Sequence, residues 1–455
     1  MNILNEVVDK GWCVGCGMCA AICPKNRLDI RWNDSGELNP VEMDGAAGCS
    51  ENCFLCYHVC PAHGNTKNET EIGHQWYGSI AGIQHTVETG YFLSAYAGYS
   101  REHRANGASG GMATWVLEQL LHEGTVSSVV AVGSMANADR LFDFKICKSI
   151  EDIRNCSRSA YYPVEASSVI RYILDNDGTY AVIGLPCLCK ALRLAQEKFP
   201  LLRKRIGVVI GLVCGRQCSK YFAEYVCALG GGDPYKLKQI VFRAKDLTQP
   251  ANNHLMEFSF EGDNGLPING KRLWHDGIGT AFTNGYFQPN GCFYCDDVFA
   301  ECADAVFMDA WLPEYVSDPK GNSLVIARSK RIDKLFEKEN KNIVLRPISI
   351  NQVIKSQEGV IKRKRARRLS SEDSPILRSE VLLSASFLQH KTNQIKQKIA
   401  FGTKESWSSD KNIGLLNATC RKYLQRLKFY SKVLKILTLP QRIMKKICGC
   451  ASKKG

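Results

Sequence analysis

No uninterrupted apolar run among the 455 residues is long enough to cross a bilayer, so helical membrane spans are not expected. The start, Met1-Asn-Ile-Leu-Asn-Glu6, has neither a basic segment nor an apolar core, so no secretory leader is expected either. Nine histidines are scattered along the chain, and no acid–base pair stands out. Acidic residues are scarce at one end. Residues 361–455 hold 23 Lys and Arg against 5 Asp and Glu, a surplus of +18, which leaves −4 on the preceding 360 residues of a chain with net charge +14. The basicity therefore belongs to the tail and says nothing about a catalytic body.

Cysteine is abundant: there are 21. Without a leader, clustered cysteines read as metal or redox sites in a reducing, cytoplasmic compartment rather than as a disulfide framework. Cys13-Val-Gly-Cys16-Gly-Met-Cys19-Ala-Ala-Ile-Cys23-Pro24 has the C-x2-C-x2-C-x3-C-P spacing of a ferredoxin-type iron–sulfur loop. Gly15 and Gly17 let the backbone close round an inorganic core. Cys49, Cys53, Cys56 and Cys60 repeat the pattern with one extra residue after the first cysteine, again followed by proline, Pro61. In two-cluster ferredoxins the fourth cysteine of each run serves the other cluster. That rule assigns Cys13, Cys16, Cys19 and Cys60 to one 4Fe-4S cluster, and Cys23, Cys49, Cys53 and Cys56 to a second. Paired zinc knuckles share the C-x2-C element but do not call for four-cysteine runs closed by proline.

After a polar linker, Gly64 to Thr70, the body reads as α/β. Apolar runs at Val126–Val132, Tyr180–Gly184, Ile206–Val213 and Ser323–Arg328 are expected strands. Helical patterns at Lys190–Lys198, Lys220–Leu229 and Arg331–Glu339 alternate with them, implying a mainly parallel sheet. Ligands of such sheets bind beyond the carboxyl ends of the strands. Cys187 and Cys214 each follow an expected strand, and Cys292-Phe-Tyr-Cys295 lies in a loop. Four thiolates from three loops can enclose a third cluster, with Cys218 and Cys302 as substitutes. Equally, Cys187 and Cys214 can be buried apolar residues. Ser109-Gly110-Gly111, with Ser109 as N-cap of a helix running through Thr114 and Trp115, is either a phosphate-binding turn or an ordinary capped helix.

The expected organisation is a ferredoxin-like unit over residues 1–66, a body over 77–350 and a basic, partly helical extension over 351–455. In the extension, Lys362 to Arg368 is a charge block expected to be a solvated face. It has none of the aromatic interleaving that nucleic-acid binding favours. Tyr423 to Leu437 is a basic amphipathic helix with Arg426, Lys428, Lys432 and Lys435. It suits an anionic membrane surface, an acidic partner or the body itself. Cys448 and Cys450 are candidate lipid carriers.

Several segments together resemble the beta-subunit family of coenzyme F420 hydrogenases and dehydrogenases. They are Ser109-Gly110-Gly111 with Thr114, Ser159-Ala-Tyr161, Ile183-Gly184-Leu-Pro186-Cys187, Gly211-Leu-Val-Cys214-Gly215, and Cys292, Cys295 and Asp296 with Ala303-Asp304 and Asp309. They run in family order over roughly residues 90–345. The resemblance implies FAD held near Ser109, Gly110, Gly111, Thr114 and Tyr161. It also implies a third 4Fe-4S cluster on Cys187, Cys214, Cys292 and Cys295. Its chemistry is hydride exchange with a small molecule, a deazaflavin in archaeal members, and one-electron delivery to a redox partner protein or subunit. Met308, Leu188 and Arg216 depart from the family pattern and bear on the substrate rather than the fold. Two other classes compete: a non-catalytic ferredoxin-type adaptor, and a membrane-peripheral redox protein of surface polysaccharide assembly. Arg158 and His58 are secondary candidates for cofactor contact and for covering a cluster.

Overall fold

The computed structural model describes residues 3–45, 49, 53–135, 139–337, 341–365 and 380–437. Cys448, Cys450 and residues 366–368 of the basic block lie outside the described residues.

The first cysteine run folds as a loop and a short helix, Met18–Ala21. Strands Leu28–Trp32 and Leu38–Glu42 then form an antiparallel hairpin. Leu28, Ile30 and Leu38 alternate inward, as a half-buried ribbon requires. The turn is fixed by Asn33, whose Oδ1 accepts from the amides of Ser35 and Glu37 at 3.0 Å each. A second short helix, Leu55–His58, carries Cys56.

The segment expected as a linker ends earlier. Asn68 caps the helix Glu69–Tyr77 through a capping box with Glu71, because its side chain supplies the acceptor that the first free amides need. Replacing Asn68 with alanine is expected to cost about 1 kcal/mol in a denaturant titration.

The body is built on eight strands. From one edge they run Ile343–Pro347, Ser94–Ser100, Ser323–Ala327, Ala305–Asp309, Ile206–Leu212, Tyr180–Gly184, Ser128–Ser134 and Phe142–Cys147. Parallel pairing holds across the central four, from Ala305–Asp309 to Ser128–Ser134. The flanking strands add antiparallel. The sheet is therefore mixed at its margins. Alternation divides its residues between two layers. Val182, Val209, Val306 and Ile326 pack on the side of the helix Pro186–Lys198. Ala181, Val208, Ile210, Phe307 and Val325 pack on the side of the helix Met112–His122.

A second core lies beyond the sheet. Strands Leu237–Ala244, Leu255–Glu261 and Pro267–Leu273 form an antiparallel sheet covered by the helix Tyr221–Leu229. The extension completes this core. Helices Glu380–Ser409 and Ile413–Leu437 contribute Ile395, Ile399, Trp407, Leu416, Cys420 and Leu427 to it. The second helix begins ten residues before the expected amphipathic stretch and is buried at Leu416 and Cys420; within the stretch Leu427 is buried, Tyr423, Leu424 and Tyr430 are half-buried, and Phe429 stays exposed. The basic block also departs from expectation. It ends the helix Glu358–Arg365, and Lys364 is buried within it. Among the described residues, no helix is long and apolar enough to cross a membrane.

Candidate metal centres

Cys13, Cys16, Cys19 and Cys60 line one cavity of about 360 Å³ with Gly17, Pro40 and Pro61. Gly15 and Gly17 adopt φ of +67° and +77°, which only glycine adopts without strain. The Gly15 amide donates to Cys13 Sγ at 3.4 Å. Burial pushes the thiol of Cys13 up to about 12 and that of Cys60 up to about 11. Cys16 and Cys19 are raised by burial and then by their neighbouring cysteines. Four buried sulfurs that disfavour one another's ionisation are a set that a shared cation relieves.

The second set is more open. Burial raises Cys56, and Cys49 and Cys53 add to the effect, so the three are electrostatic neighbours. The Arg27 amide donates to Cys23 Sγ at 3.4 Å, and its guanidinium hydrogen-bonds Cys49. Residues 50–52, which hold the extra position of this run, are outside the described residues. His58 is exposed.

Cys187 stands at the start of the helix Pro186–Lys198, immediately after the Tyr180–Gly184 strand. Cys214 follows the Ile206–Leu212 strand, its amide donating to Val298 O at 3.0 Å. Cys292 lies in the 3-10 turn Asn290–Phe293 and Cys295 just after it. Burial raises Cys187 first, followed by Cys214, Cys295, Cys16 and Cys292. Burial first, then Cys295 and Asp297, holds Cys214 up to about 11; burial, then Cys214 and Cys295, holds Cys292 up to about 12. The rim placement expected from the strand order therefore brings these four together. Their donor chemistry fits a thiolate-ligated cluster. Cys302 sits instead in the sheet core with Cys189. Cys218 is buried near Cys292 and Cys214.

Three contacts to this set were not legible in advance. The Gln217 amide donates to Cys292 Sγ at 3.3 Å, and its side-chain amide to Cys187 Sγ at 3.5 Å. Lys364 Nζ donates to Cys295 Sγ at 3.2 Å.

The ferredoxin-like segment docks directly on this rim. Ala166 N donates to Cys16 O at 3.0 Å, and Asn290 Nδ2 to Gly11 O at 3.0 Å. A Cβ on Gly291 would lie 2.5 Å from the carbonyls of Trp12 and Cys13. The three cysteine sets are thus consecutive, Cys187 neighbouring Cys16 and Cys19 neighbouring Cys56.

A cleft of about 390 Å³ is lined by Ser109, Arg243, Lys245, His254, Asp309 and Trp311 among others. Arg243 is its hub. It holds a left-handed φ of +59° and is buried. Its guanidinium donates to Asp309 at 2.5 and 3.0 Å, to Ala108 O at 3.0 Å and to Tyr161 Oη at 3.5 Å. Tyr161 and Asp309 therefore meet through an arginine that no motif marks, and the same arginine holds Ala108, next to Ser109. Among the described residues, the Nε of Arg243 has no hydrogen-bond partner. Burial holds the His254 imidazole neutral, its pKa pulled down to about 2. A buried, unpartnered polar atom on a residue that lines a cleft fits a bound polar molecule.

The Ser-Gly-Gly turn differs from its expected form. The helix Met112–His122 is capped by Gly111 at φ +76°, not by Ser109. Ser109 Oγ donates to Asn322 O at 2.6 Å and Gly110 N to Ser323 Oγ at 3.1 Å, so the turn is stitched to the next strand. A Cβ on Gly110 would lie 2.5 Å from Gly98 O. Thr114 is buried in the helix that follows. Met308 and Leu188 point into the sheet core, and Arg158 donates to Asn106 O at 3.1 Å.

Aromatic rings join the cleft to the third cysteine set. Tyr161 lies 5.6 Å from Phe282 between centroids, and the Arg216 guanidinium lies 5.0 Å over the Phe282 ring. Arg216 is itself buried beside Cys218, Cys292 and Cys214. Trp274 bridges His254 at 4.8 Å and Phe282 at 5.3 Å.

Comparison with known proteins agrees with this layout. Residues 95–171 match the model of the coenzyme F420 hydrogenase/dehydrogenase beta subunit N-terminal part, and residues 177–351 that of its C-terminal part. Residues 6–26 match a 4Fe-4S binding domain. The chain is 25% identical over 218 residues to an F(420)H(2) dehydrogenase subunit of Methanosarcina mazei, covering 46% of this chain and 55% of that protein. It is 21% identical over 346 residues to the coenzyme F420-dependent sulfite reductase of Methanocaldococcus jannaschii, covering 73% of this chain and 46% of that protein. It thus spans about half the length of these two relatives. Over 77 residues, 14% of the chain, it is 32% identical to Ferredoxin-3 of Nostoc sp., 79% of which is covered. With both family halves matched in order on one body, and the cysteine run ahead of them, the chain belongs to the coenzyme F420 hydrogenase/dehydrogenase beta-subunit family and carries a 4Fe-4S binding domain.

Proposed function

We propose that the chain is a cytoplasmic iron–sulfur flavoprotein oxidoreductase, exchanging hydride with a small molecule and single electrons with a partner protein. The observation that supports this most is continuity. The cleft, Tyr161, Phe282, Arg216 and the Cys187 set form one series of contacts, and the two ferredoxin-type sets follow it. A hydride site must be walled and polar, whereas one-electron carriers need only succeed one another toward the surface.

In this reading Cys187, Cys214, Cys292 and Cys295 hold a third cluster beside the two of the N-terminal unit, and the cleft by Ser109, Arg243 and His254 takes FAD. The turn Ser109-Gly110-Gly111, with Thr114 behind it, shapes one wall. Bound FAD supplies interconversion of hydride and single-electron chemistry. The protein's part is orientation. Arg243, held by Asp309, lines the cleft, and neutral His254 offers a polar ring beside it. The small molecule is a deazaflavin of the coenzyme F420 type or another hydride donor or acceptor. The partner is a redox protein or subunit of the kind the family's relatives are named for.

The test is anaerobic addition of reduced deazaflavin to the purified chain, with flavin extraction. Released FAD and bleaching of both flavin and cluster absorption are expected. Clusters without any flavin would leave the adaptor reading instead.

A further inference from the structure

We propose that Lys364, supplied by the C-terminal extension, raises the reduction potential of the cluster held by Cys187, Cys214, Cys292 and Cys295; this rests on the third-cluster reading above. Lys364 lies beyond residues 177–351, where the family match ends. It belongs to the charge block whose pattern reads as a solvated face, yet it is only 6% exposed. Its ammonium donates to Cys295 Sγ at 3.2 Å, to Asp297 O at 2.5 Å and to Cys214 O at 3.3 Å. An ammonium has three protons, and all three are directed at the two loops that carry the sulfurs.

A purely structural role explains this placement less well. A lysine that only fastened the helix to the body would do so from the rim, with its charge in water; Lys362, on the same helix, keeps its charge exposed and pairs only within the helix, with Glu358. Burying the charge is expensive unless an anion offsets it. A cubane bound by four thiolates is that anion in both oxidation states, and it gains one more negative charge on reduction. A buried cation on a ligand sulfur therefore favours the reduced form, and its N–H···S hydrogen bond acts in the same direction. Two further cations face the set, the buried Arg216 and Arg363, the latter 2.8 Å from where a Gly215 side chain would begin. The nearest carboxylate, Asp297, is also buried and partly offsets them.

The test is a redox titration monitored by electron paramagnetic resonance on the full, cluster-loaded chain, with iron counted on each sample. Lys364→Met and Lys364→Gln remove the charge, Lys364→Arg keeps it, and Lys362→Met is the control on the same helix. The charge-removing variants are expected to keep their iron and shift the third-cluster midpoint negative. At the wild-type midpoint the ratio of reduced to oxidised cluster should fall from one to about a tenth, a tenfold change equal to about 59 mV for one electron. Lys364→Arg and Lys362→Met should stay near the wild-type midpoint. Full iron with an unmoved midpoint in Lys364→Met or Lys364→Gln overturns the proposal. Loss of iron from both overturns it too, because Lys364 is then structural. A wild-type chain without the third cluster instead overturns the reading beneath it, before any variant is compared.

Discussion

Replacing Cys214 with serine is expected to lower the iron of the purified chain from about twelve to about eight atoms, the loss of one 4Fe-4S centre, while the fold persists. Cys214 is buried, with its backbone anchored to Val298 at 3.0 Å at the end of a central strand. Serine keeps nearly the same volume, so the surrounding packing is not asked to move. What it loses is the soft thiolate that iron prefers. The remaining eight irons belong to sulfurs on separate loops, Cys13 to Cys23 and Cys49 to Cys60, whose backbone the substitution does not touch. A matching loss from Cys187→Ser and none from Cys302→Ser would separate a ligand set from a merely buried one. Unchanged iron in Cys214→Ser would mean that these cysteines only fill the core.

Trp407→Ala is expected to destabilise the protein by about 3–5 kcal/mol, read as a lower denaturant midpoint. Trp407 is fully buried although it lies far into the basic extension. Its ring packs 5.8 Å from both Tyr225 and Phe287, edge-on to each. Its Nε1 donates to Glu224 Oε2 at 3.0 Å. Alanine opens a cavity between the helix Tyr221–Leu229 and the extension and leaves Glu224 paired with Lys411, at 2.9 Å. Phe429→Ala, on the exposed side of the following helix, should stay within about 0.5 kcal/mol of wild type. Deleting the extension from residue 361 would therefore damage the second core as well as removing Lys364. Loss of membrane association in such a truncation would not by itself identify an anchor.

These two expectations mark where the sequence was informative and where it was not. The cysteine runs stood out because iron–sulfur chemistry demands a residue type at short, local spacings, as in Cys13 to Cys23. Cys187 and Cys214 were legible for a related reason: the apolar runs before them become adjacent parallel strands, which brings their ends to one rim. The strands Ser94–Ser100 and Leu237–Leu273 were missed. Ser94-Ala-Tyr-Ala-Gly-Tyr-Ser100 is small and polar for a strand, and it is held by neighbours more than 200 residues away. Arg243 and Gln217 carry no local signature either, because their roles come from what the fold sets beside them. The extension was the largest misjudgement. A run such as Lys362-Arg-Lys-Arg365 looks solvated by composition, and nothing in it shows that the fold sets Lys364 beside a buried sulfur and two buried carbonyls. The amphipathic stripe of Tyr423 to Leu437 was recognised, though not the ten residues by which its helix begins earlier, and periodicity does not say whether protein or lipid covers it.

The most direct test of the account is the iron and acid-labile sulfide content of the anaerobically purified full chain. About twelve of each per chain is the predicted result, three 4Fe-4S centres on Cys13 to Cys60 and on the Cys187 set. About eight of each, or zinc in place of iron, would contradict it.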